Sequence, residues 1–313
     1  AQVAAYGMAL TAAERAAQPG SRRDVELRRT QRALVDARPS SRLVGWAMER
    51  MSAATADLDE ESDGEAVATV LRAEADAIAT EFQSSHAAIA AALAEAMPQP
   101  EGRPLAVLVH GDQGALHGGS IGTGLTAHRR LRDQGRELRI FVTETRPFMD
   151  GARLASWELR QADLEHKIIA DAAVAWLFAR ETIVVVLVAA EWIATNGDTA
   201  AVIGGRAIAQ QAALAPRDAD SVRPRVMVSG VTATIDPERP DGGALPVELR
   251  PARDLAAYLS EVPVRASDAI VPATDVIPAD TIGSLVTERG FAAPATGEAV
   301  AALAGVAPAE EAR

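Results

Sequence analysis

Cysteine is absent from the sequence, which excludes disulfides, thiolate metal sites and thiol nucleophiles. Lysine is nearly absent as well: Lys167 is the only one, so a Schiff base could form at that residue alone. The remaining basic side chains are arginines, which stay charged and present a planar fork of donors. No run of 18 apolar residues and no secretory signal pattern occurs, and we therefore predict a cytoplasmic protein without membrane contact.

Positive charge is in short supply. The chain has 31 basic and 43 acidic residues, a formal net charge of -12, which repels a phosphate backbone and disfavours nucleic acid as a partner. Hydrophobic residues make up 48% and charged residues 24% of the sequence, which is typical of a folded globular protein. A length of 313 residues is enough for two domains.

The first third of the chain has the periodicity of helices. Residues 1–100 are rich in Ala, Glu and Leu at three-to-four spacing, as in AAYGMALTAAERAA, VELRRTQRALVDA and the run from Asp63 to Met97. The segment PQPEGRP at 98–104 would end any helix. We therefore predict a helical N-terminal domain over residues 1–100.

After residue 104 the sequence pattern changes to short apolar runs separated by segments with helical periodicity. These runs are LAVLVH at 105–110, LRIFVTE at 138–144, KIIA at 167–170, IVVVLVAA at 183–190 and RVMVSG at 225–230. Such alternation predicts an α/β domain with a doubly wound, mostly parallel, Rossmann-like sheet over residues 101–291. The remainder, 292–313, is rich in Ala, Pro and Glu and is expected to be a mobile tail.

Ligands of doubly wound sheets bind beyond the carboxyl ends of the strands. The loop after the first strand, HGDQGALHGGSIGTGL, holds six glycines and could cradle an oxyanion or phosphate. Gly111, Gln113 and Gly114 are the predicted contacts. Its spacing fits neither a dinucleotide fingerprint nor a P-loop, and a structural turn is an equally good interpretation. No cofactor is predicted.

Charged residues follow two further strands. Glu144, Arg146 and Arg153 could hold a polar ligand, or pair with one another. Glu191 ends a very apolar strand, where burial would raise the pKa of its carboxyl group, so it is the best catalytic candidate. A helix cap or an ion pair with an arginine is the alternative. The NGD turn that follows adds Asn196 and Asp198 as predicted substrate contacts.

Histidines are few. They are His86, His110, His117, His128 and His166. His110 and His117 flank the glycine-rich loop and could act in acid/base catalysis. No HExxH motif or clustered His/Asp pattern occurs, so no metal site is predicted.

Several motifs in register resemble the methylthioribose-1-phosphate isomerase family. They are VLVHGDQGALHGGSIGTGL, FVTETRPFMDGARLASWEL, AAEWIATNGDTAAVIGG and VTERG, preceded by VAAYGMAL and ARPSSRLVGWAMERM. The family's relatives include ribose-1,5-bisphosphate isomerase and the regulatory subunits of translation initiation factor 2B. The resemblance extends over residues 1–291 and implies the same scaffold and a two-fold homodimer.

The resemblance also implies a reaction. Enzymes of this family open a ribose 1-phosphate ring and move the carbonyl group from C1 to C2, using a cysteine, an aspartate and a lysine. Those positions are here Gly111, Glu191 and Val202. Asp112 replaces an asparagine and Arg160 a glutamine, so Asp112 and Glu191 could form a new acid/base pair, while Arg160 could partly replace the lysine.

Three hypotheses follow. The first is an isomerase-like enzyme that acts on a ribose-derived small molecule by proton transfer, with Glu191 as base, Asp112 as acid and Arg38, Arg146 and Arg153 as anion-holding groups. The second is a catalytically inactive ligand-binding or regulatory protein on the same scaffold. The third is an enzyme recruited to other chemistry, such as elimination or cyclisation. Function depends on the site rather than on the fold, so the sequence leaves all three open.

Overall fold

The computed structural model describes residues 1–58, 61–119, 121–215, 223–258 and 269–305, without the side chains of residues 116 and 117. The chain divides into two compact units, Ala1–Ser84 and Ser85–Arg313. This division comes earlier than the boundary predicted at residue 100, because the long helix that crosses it contributes its last turns to the second unit.

The first unit is helical, as the sequence predicts. It contains α1 (Gln2–Glu14), α2 (Gly20–Ala37), α3 (Arg42–Ala54) and most of α4 (Gly64–Ala96). The apolar residues that recur every three or four positions form its core, since Met8, Met48, Met51, Leu71 and Ile78 are buried. Among the described residues no helix is both long and apolar enough to cross a membrane.

The second unit is built on a mixed, mostly parallel sheet of order β11-β10-β6-β4-β1-β2-β3. The strands of this path are β1 (Leu105–His110), β2 (Leu138–Thr143), β3 (His166–Ile169), β4 (Val185–Ile193), β6 (Arg225–Ser229), β10 (Ser284–Thr287) and β11 (Gly290–Ala292). Two further strands, β5 (Thr199–Val202) and β9 (Thr274–Ile277), pair antiparallel with β4 and with each other. A separate pair is formed by β7 (Leu249–Arg250) and β8 (Val271–Pro272).

Short helices cover the sheet. They are α5 (Ala115–Gly118), α6 (Thr123–Asp133), α7 (Ser156–Gln161), α8 (Val174–Phe178), α9 (Gly205–Leu214), α10 (Arg253–Ala256) and α11 (Gly297–Ala304). The core includes Leu108, Val186, Val188 and Val228, which are inaccessible to solvent. The central strands β1, β4 and β6 are buried on both faces, which is why they appear in the sequence as continuous apolar runs.

All five apolar runs form strands, and the predicted fold class is confirmed. Two details differ. The predicted crossover helices are shorter than their amphipathic patterns, because π-helical and 3-10 turns precede α7 and α8. The expected mobile tail begins with ordered structure: Val300 and Leu303 of α11 pack into the sheet's core, and the tail beyond residue 305 lies outside the described residues.

Candidate functional site

The candidate site lies where the strands of the second unit end. β1 and β4 are parallel neighbours, with His110 paired to Val188, and β2 lies on the other side of β1. Gly111 and Thr145 follow β1 and β2, and Glu191 lies in β4 beyond its pairing with β1. These residues therefore gather at one edge of the sheet.

The turn after β1 begins at Gly111, which adopts φ +79°, a conformation that favours glycine. Its N–H donates to the Thr145 hydroxyl at 3.2 Å. A Cβ at this position would come within 2.9 Å of Val202 Cγ1. Gly111 and Val202 thus lie next to each other, and the valine fills the space that a side chain at position 111 would need.

His110 supports this turn from beneath. The residue is inaccessible to solvent, Nδ1 lies 2.8 Å from the Thr143 hydroxyl and Nε2 lies 3.1 Å from the Ile203 carbonyl. Burial lowers the pKa of His110, against the opposing charge of Asp171. Because the Ile203 oxygen can only accept, the neutral ring carries its proton on Nε2, and Nδ1 accepts from Thr143. His110 is therefore held as a positioning group, whereas the sequence suggested an acid/base; the His117 side chain lies outside the described residues.

Thr145 and Asp171 were not singled out in the sequence. Thr145 is a β-branched residue at φ 60°, a costly conformation that neighbouring groups must hold in place. Asp171 holds Thr145 in this conformation with both carboxylate oxygens. They accept hydrogen bonds from the backbone N–H groups of Thr145 at 2.8 Å and Arg146 at 2.6 Å. The only sequence signal was its position after a strand, and its partners are 25 and 26 residues away in the chain.

Asp112 and Gly114 shape the start of the glycine-rich loop. Asp112 Oδ1 accepts the Gly114 N–H at 2.9 Å. Glu158, a buried residue that sequence reasoning missed, accepts the Ala115 N–H at 2.7 Å. A Cβ on Gly114 would lie 2.0 Å from a Glu158 oxygen, so only glycine fits there. The loop is therefore held by carboxylates on both sides; Ser120 within it lies outside the described residues.

Gln113 faces inward from the same loop. Its side chain is buried, and neither its amide nitrogen nor its amide oxygen has a hydrogen-bond partner within the described part of the chain. It lines a small cavity of about 10 Å³ together with Gly124, His128 and Glu158. The volume is about that of one water molecule. Gln113 is therefore a buried residue beside this cavity, and its role as a substrate contact stays a prediction.

Glu191 occupies a β-bulge. The pairing of β4 with β5 shifts register between Ala190 and Trp192, and bulges next to active sites re-aim side chains. Val186, Val188 and Ala190 belong to the core on one face, and the bulge interrupts this alternation at Glu191. Glu191 is 8% exposed, so its carboxylate is buried in the last part of β4.

The predicted anion-holding arginines lie in different surroundings. Arg146 Nη2 donates to the Leu255 carbonyl at 2.6 Å. Arg153 lies 4.9 Å from the centre of the Tyr258 ring and donates to its hydroxyl. Arg160 is exposed at the end of α7. Arg38 belongs to the first unit, where it follows α2. Arg146 and Arg153 thus both engage the segment around α10.

The NGD turn joins β4 to β5. Asp198 accepts hydrogen bonds from the Asn196 amide, Gly242 N–H and Ala279 N–H at 2.8–2.9 Å. Burial raises the pKa of Asp198, but these bonds and the charge of Arg206 outweigh it and lower the pKa overall. The predicted substrate contacts Asn196 and Asp198 are therefore tied to each other and to two loops.

The edge as a whole combines the buried carboxylate of Glu191, the partly exposed carboxylate of Asp112 and backbone N–H groups of a glycine-rich loop. Such a set can transfer protons and bind an oxyanion. Within the described ranges, no group of three or more His, Asp or Glu side chains has the arrangement of a metal site.

Comparison with known proteins assigns the scaffold. Residues 1–294 match the model of the initiation factor 2 subunit family. A methylthioribose-1-phosphate isomerase of Pseudomonas aeruginosa is 35% identical over 300 residues, covering 96% of this chain and 81% of the relative. Among solved structures, 5-methylthioribose 1-phosphate isomerase from Pyrococcus horikoshii OT3 is 25% identical with a TM-score of 0.78, covering 96% of this chain and 81% of the other.

A second solved structure bears the name of a translation initiation factor subunit. The translation initiation factor eIF-2B subunit delta from A. fulgidus is 25% identical with a TM-score of 0.71, covering 96% of this chain and 84% of the other. The sequence match, the shared fold and the strand-end motifs agree, and the chain belongs to the initiation factor 2 subunit family.

Proposed function

We propose that the protein is a sugar-phosphate isomerase of the aldose-ketose type with an altered active site. The observation that carries the proposal is the buried carboxylate of Glu191 at the bulge that ends β4, beside the carboxyl end of β1. A relative that covers nearly the whole chain bears the name of such an isomerase. Buried carboxylates at the strand ends of an α/β sheet are suited to proton abstraction.

The chemistry can be written for a furanose of the ribose series. Asp112 protonates the ring oxygen as the bond from that oxygen to C1 breaks. Glu191 removes the proton from C2, which leaves an enol between C1 and C2. Water accepts the O2 proton and supplies the proton that adds to C1, which gives the ketone at C2, so atoms and charges balance. Each carboxyl group ends in the state in which the other began, and solvent exchange restores them.

The altered positions support a substrate unlike that of the named relatives. Val202 brings no charge to the site and contacts Gly111, so no lysine is present to hold a phosphate. Anion binding then depends on the loop N–H groups and on arginines. We therefore expect a ribose derivative with a changed substituent or with fewer phosphate groups.

A specific observation favours a second candidate, a ligand-binding protein without activity. Val202 fills the space beside Gly111, and the A. fulgidus initiation factor subunit shares the fold. In that case the site would bind a ribose derivative without converting it.

The test is to incubate the protein in D₂O with 5-methylthioribose 1-phosphate, ribose 1-phosphate and 5-methylthioribose, and to follow each by NMR. We expect a ketose that carries solvent deuterium at C1 from one of the altered sugars. We also expect turnover of 5-methylthioribose 1-phosphate to be about 10² to 10⁴-fold below that of the Pseudomonas aeruginosa relative, the usual cost of a missing acid. Saturable binding with no product would instead support the second candidate, and a ketose without deuterium at C1 would contradict the proton-transfer mechanism.

A further inference from the structure

The helical unit Ala1–Ser84 contains a cavity of its own, of about 190 Å³. All four helices contribute to it: Met8 from α1, Arg23 and Leu27 from α2, Met51 from α3 and Leu71 from α4. The rest of the lining is mixed, with the apolar Leu58 and Val67 beside the polar Asp24, Arg28, Gln31, Ser52 and Thr55. The cavity is therefore a concave site that combines apolar and polar side chains, as small-molecule pockets do.

Arg23 lines this cavity, and its side chain is almost fully buried. Its side chain is 2% exposed. Nη1 donates to the Ser62 carbonyl at 3.2 Å, and the nearest carboxylate, Asp24, lies 3.8 Å from Nε, too far for a hydrogen bond. Within the described part of the chain, neither Nε nor Nη2 has an acceptor. Buried arginines are normally paired, because an unsatisfied buried cation is costly.

The two Arg23 donors without an acceptor, Nε–H and Nη2–H, indicate the kind of ligand group that would pair with them. Nε–H and Nη2–H form the parallel edge of the guanidinium that a carboxylate engages with both oxygens. We infer that this cavity is a binding site for a small monocarboxylic acid with an aliphatic body. The carboxylate would pair with the Nε and Nη2 edge of Arg23, and the aliphatic part would pack against Met8, Leu27, Met51 and Leu71.

Charge selects a monoanion over a phosphate. Arg23 is the single buried cation of the cavity, and Asp24 lies nearby with a side chain that is 28% exposed. A phosphate dianion would bring a second negative charge close to Asp24, at a site whose one buried guanidinium can neutralise a single charge. Arg28 and Gln31 also line the cavity, and Arg28 is exposed, where its charge is screened by solvent.

This site is separate from the proposed isomerase site. All its lining residues lie between Met8 and Leu71, within the first unit, whereas Asp112 and Glu191 belong to the second. Loss of either function therefore leaves the other measurable.

The experiment is calorimetric titration and thermal unfolding of the whole protein with hexanoate, hexanamide and inorganic phosphate. We expect saturable hexanoate binding that raises Tm in proportion to ligand occupancy. Hexanamide, which lacks the charge, and phosphate should bind at least about tenfold more weakly, the effect of losing roughly 1.4 kcal/mol of charge-assisted hydrogen bonding.

Variants test the assignment to Arg23. Arg23→Met keeps the chain length and removes the charge, so it should abolish hexanoate binding without lowering Tm, since it also removes an unsatisfied buried cation. Arg23→Lys keeps the charge without the fork and should weaken binding at least about tenfold; it serves if the methionine variant does not fold. Arg29→Met, on the exposed side of the same helix, is the matched control and should bind like the parent.

Three outcomes would overturn the inference. They are no saturable hexanoate binding by the parent protein up to about 10 mM, a range that covers weak affinities, hexanoate binding that survives in Arg23→Met and Arg23→Lys, and tighter binding of phosphate than of hexanoate. The last would replace the carboxylate with an inorganic anion as the ligand.

Discussion

At the scale of single residues, Val202 occupies the space that a side chain at position 111 would need. Gly111 has φ +79° and a Cβ position 2.9 Å from the valine. A side chain introduced at position 111 alone would therefore clash with Val202. The sequence does not show this proximity, because the two residues are 91 positions apart. Gly111 follows β1 and Val202 ends β5, two strands that are not neighbours in the sheet.

A double-mutant cycle measures this contact. Gly111→Ala should lower the free energy of unfolding by about 2 kcal/mol, from the unfavourable φ and the contact with Val202. In a Val202→Ala background the same change should cost about 0.5 to 1 kcal/mol less, because the contact is relieved and the φ is not. Urea unfolding gives all four values. Equal costs in both backgrounds would show that the two side chains do not interact.

The candidate residues were predicted unevenly. Glu191 and Gly111 were recognised from their position after apolar runs, and both lie at the predicted edge. Gln113, Asn196 and Asp198 were selected by proximity in sequence, yet the structure gives them buried or loop-tying positions. Hydrogen-bond partners such as Asp171 and Glu158 could not be predicted, since they depend on contacts between distant strands and helices.

At the scale of elements, the continuous apolar runs identified five strands, while four others of the main sheet were missed. β5 has the sequence TAAV and β9 TDVI, too short and too mixed to show alternation. They form by antiparallel pairing with each other and with the end of β4. β10 and β11 are equally short and form the opposite edge of the sheet from β3.

Helix α6 contains a buried histidine that makes stability depend on pH. Burial lowers the pKa of His128 to about 4, and a hydrogen bond to the Gly124 backbone only partly opposes this. Between pH 6.5 and pH 4 the unfolded chain binds a proton at His128, whereas His128 in the folded protein stays neutral. Stability is therefore present above pH 6.5 and is lost as the pH falls towards 4.

His128→Leu should remove that part of the pH dependence. Between pH 6.5 and 4.5, the parent should lose about 2 kcal/mol more unfolding free energy than the variant, as expected for one histidine with this shift. The carboxylates titrate equally in both proteins, and so does His110, whose pKa burial also lowers. Parallel curves of urea midpoint against pH would contradict the assignment to His128.

At the scale of the whole molecule, we predict a homodimer. Strand β3 is an edge of the sheet, and Trp157, Ile168 and Trp176 beside it are exposed. Exposed sheet edges and apolar patches of this kind are usually covered by a partner, and two-fold pairing is the commonest way.

Light scattering after gel filtration checks this prediction. The mass at micromolar concentration should be about twice 32.7 kDa. Trp176→Arg should shift the population towards monomer. Phe291→Arg, an equally exposed aromatic on β11 at the other edge of the sheet, is the matched control and should leave the dimer intact. A monomeric parent protein would refute the prediction.

Glu191→Gln tests the central claim most directly, with Glu165→Gln as control. Both exchanges remove one carboxylate with little change in size, but Glu165 is exposed and precedes β3, at the amino end of the strands. On the sugar that the protein converts best, kcat of Glu191→Gln should fall at least about a hundredfold, the lower end for loss of a general base, with unchanged Tm. Glu165→Gln should keep the parent's kcat. Full activity of Glu191→Gln would contradict the assignment of Glu191 as the base and, with it, the proposed mechanism.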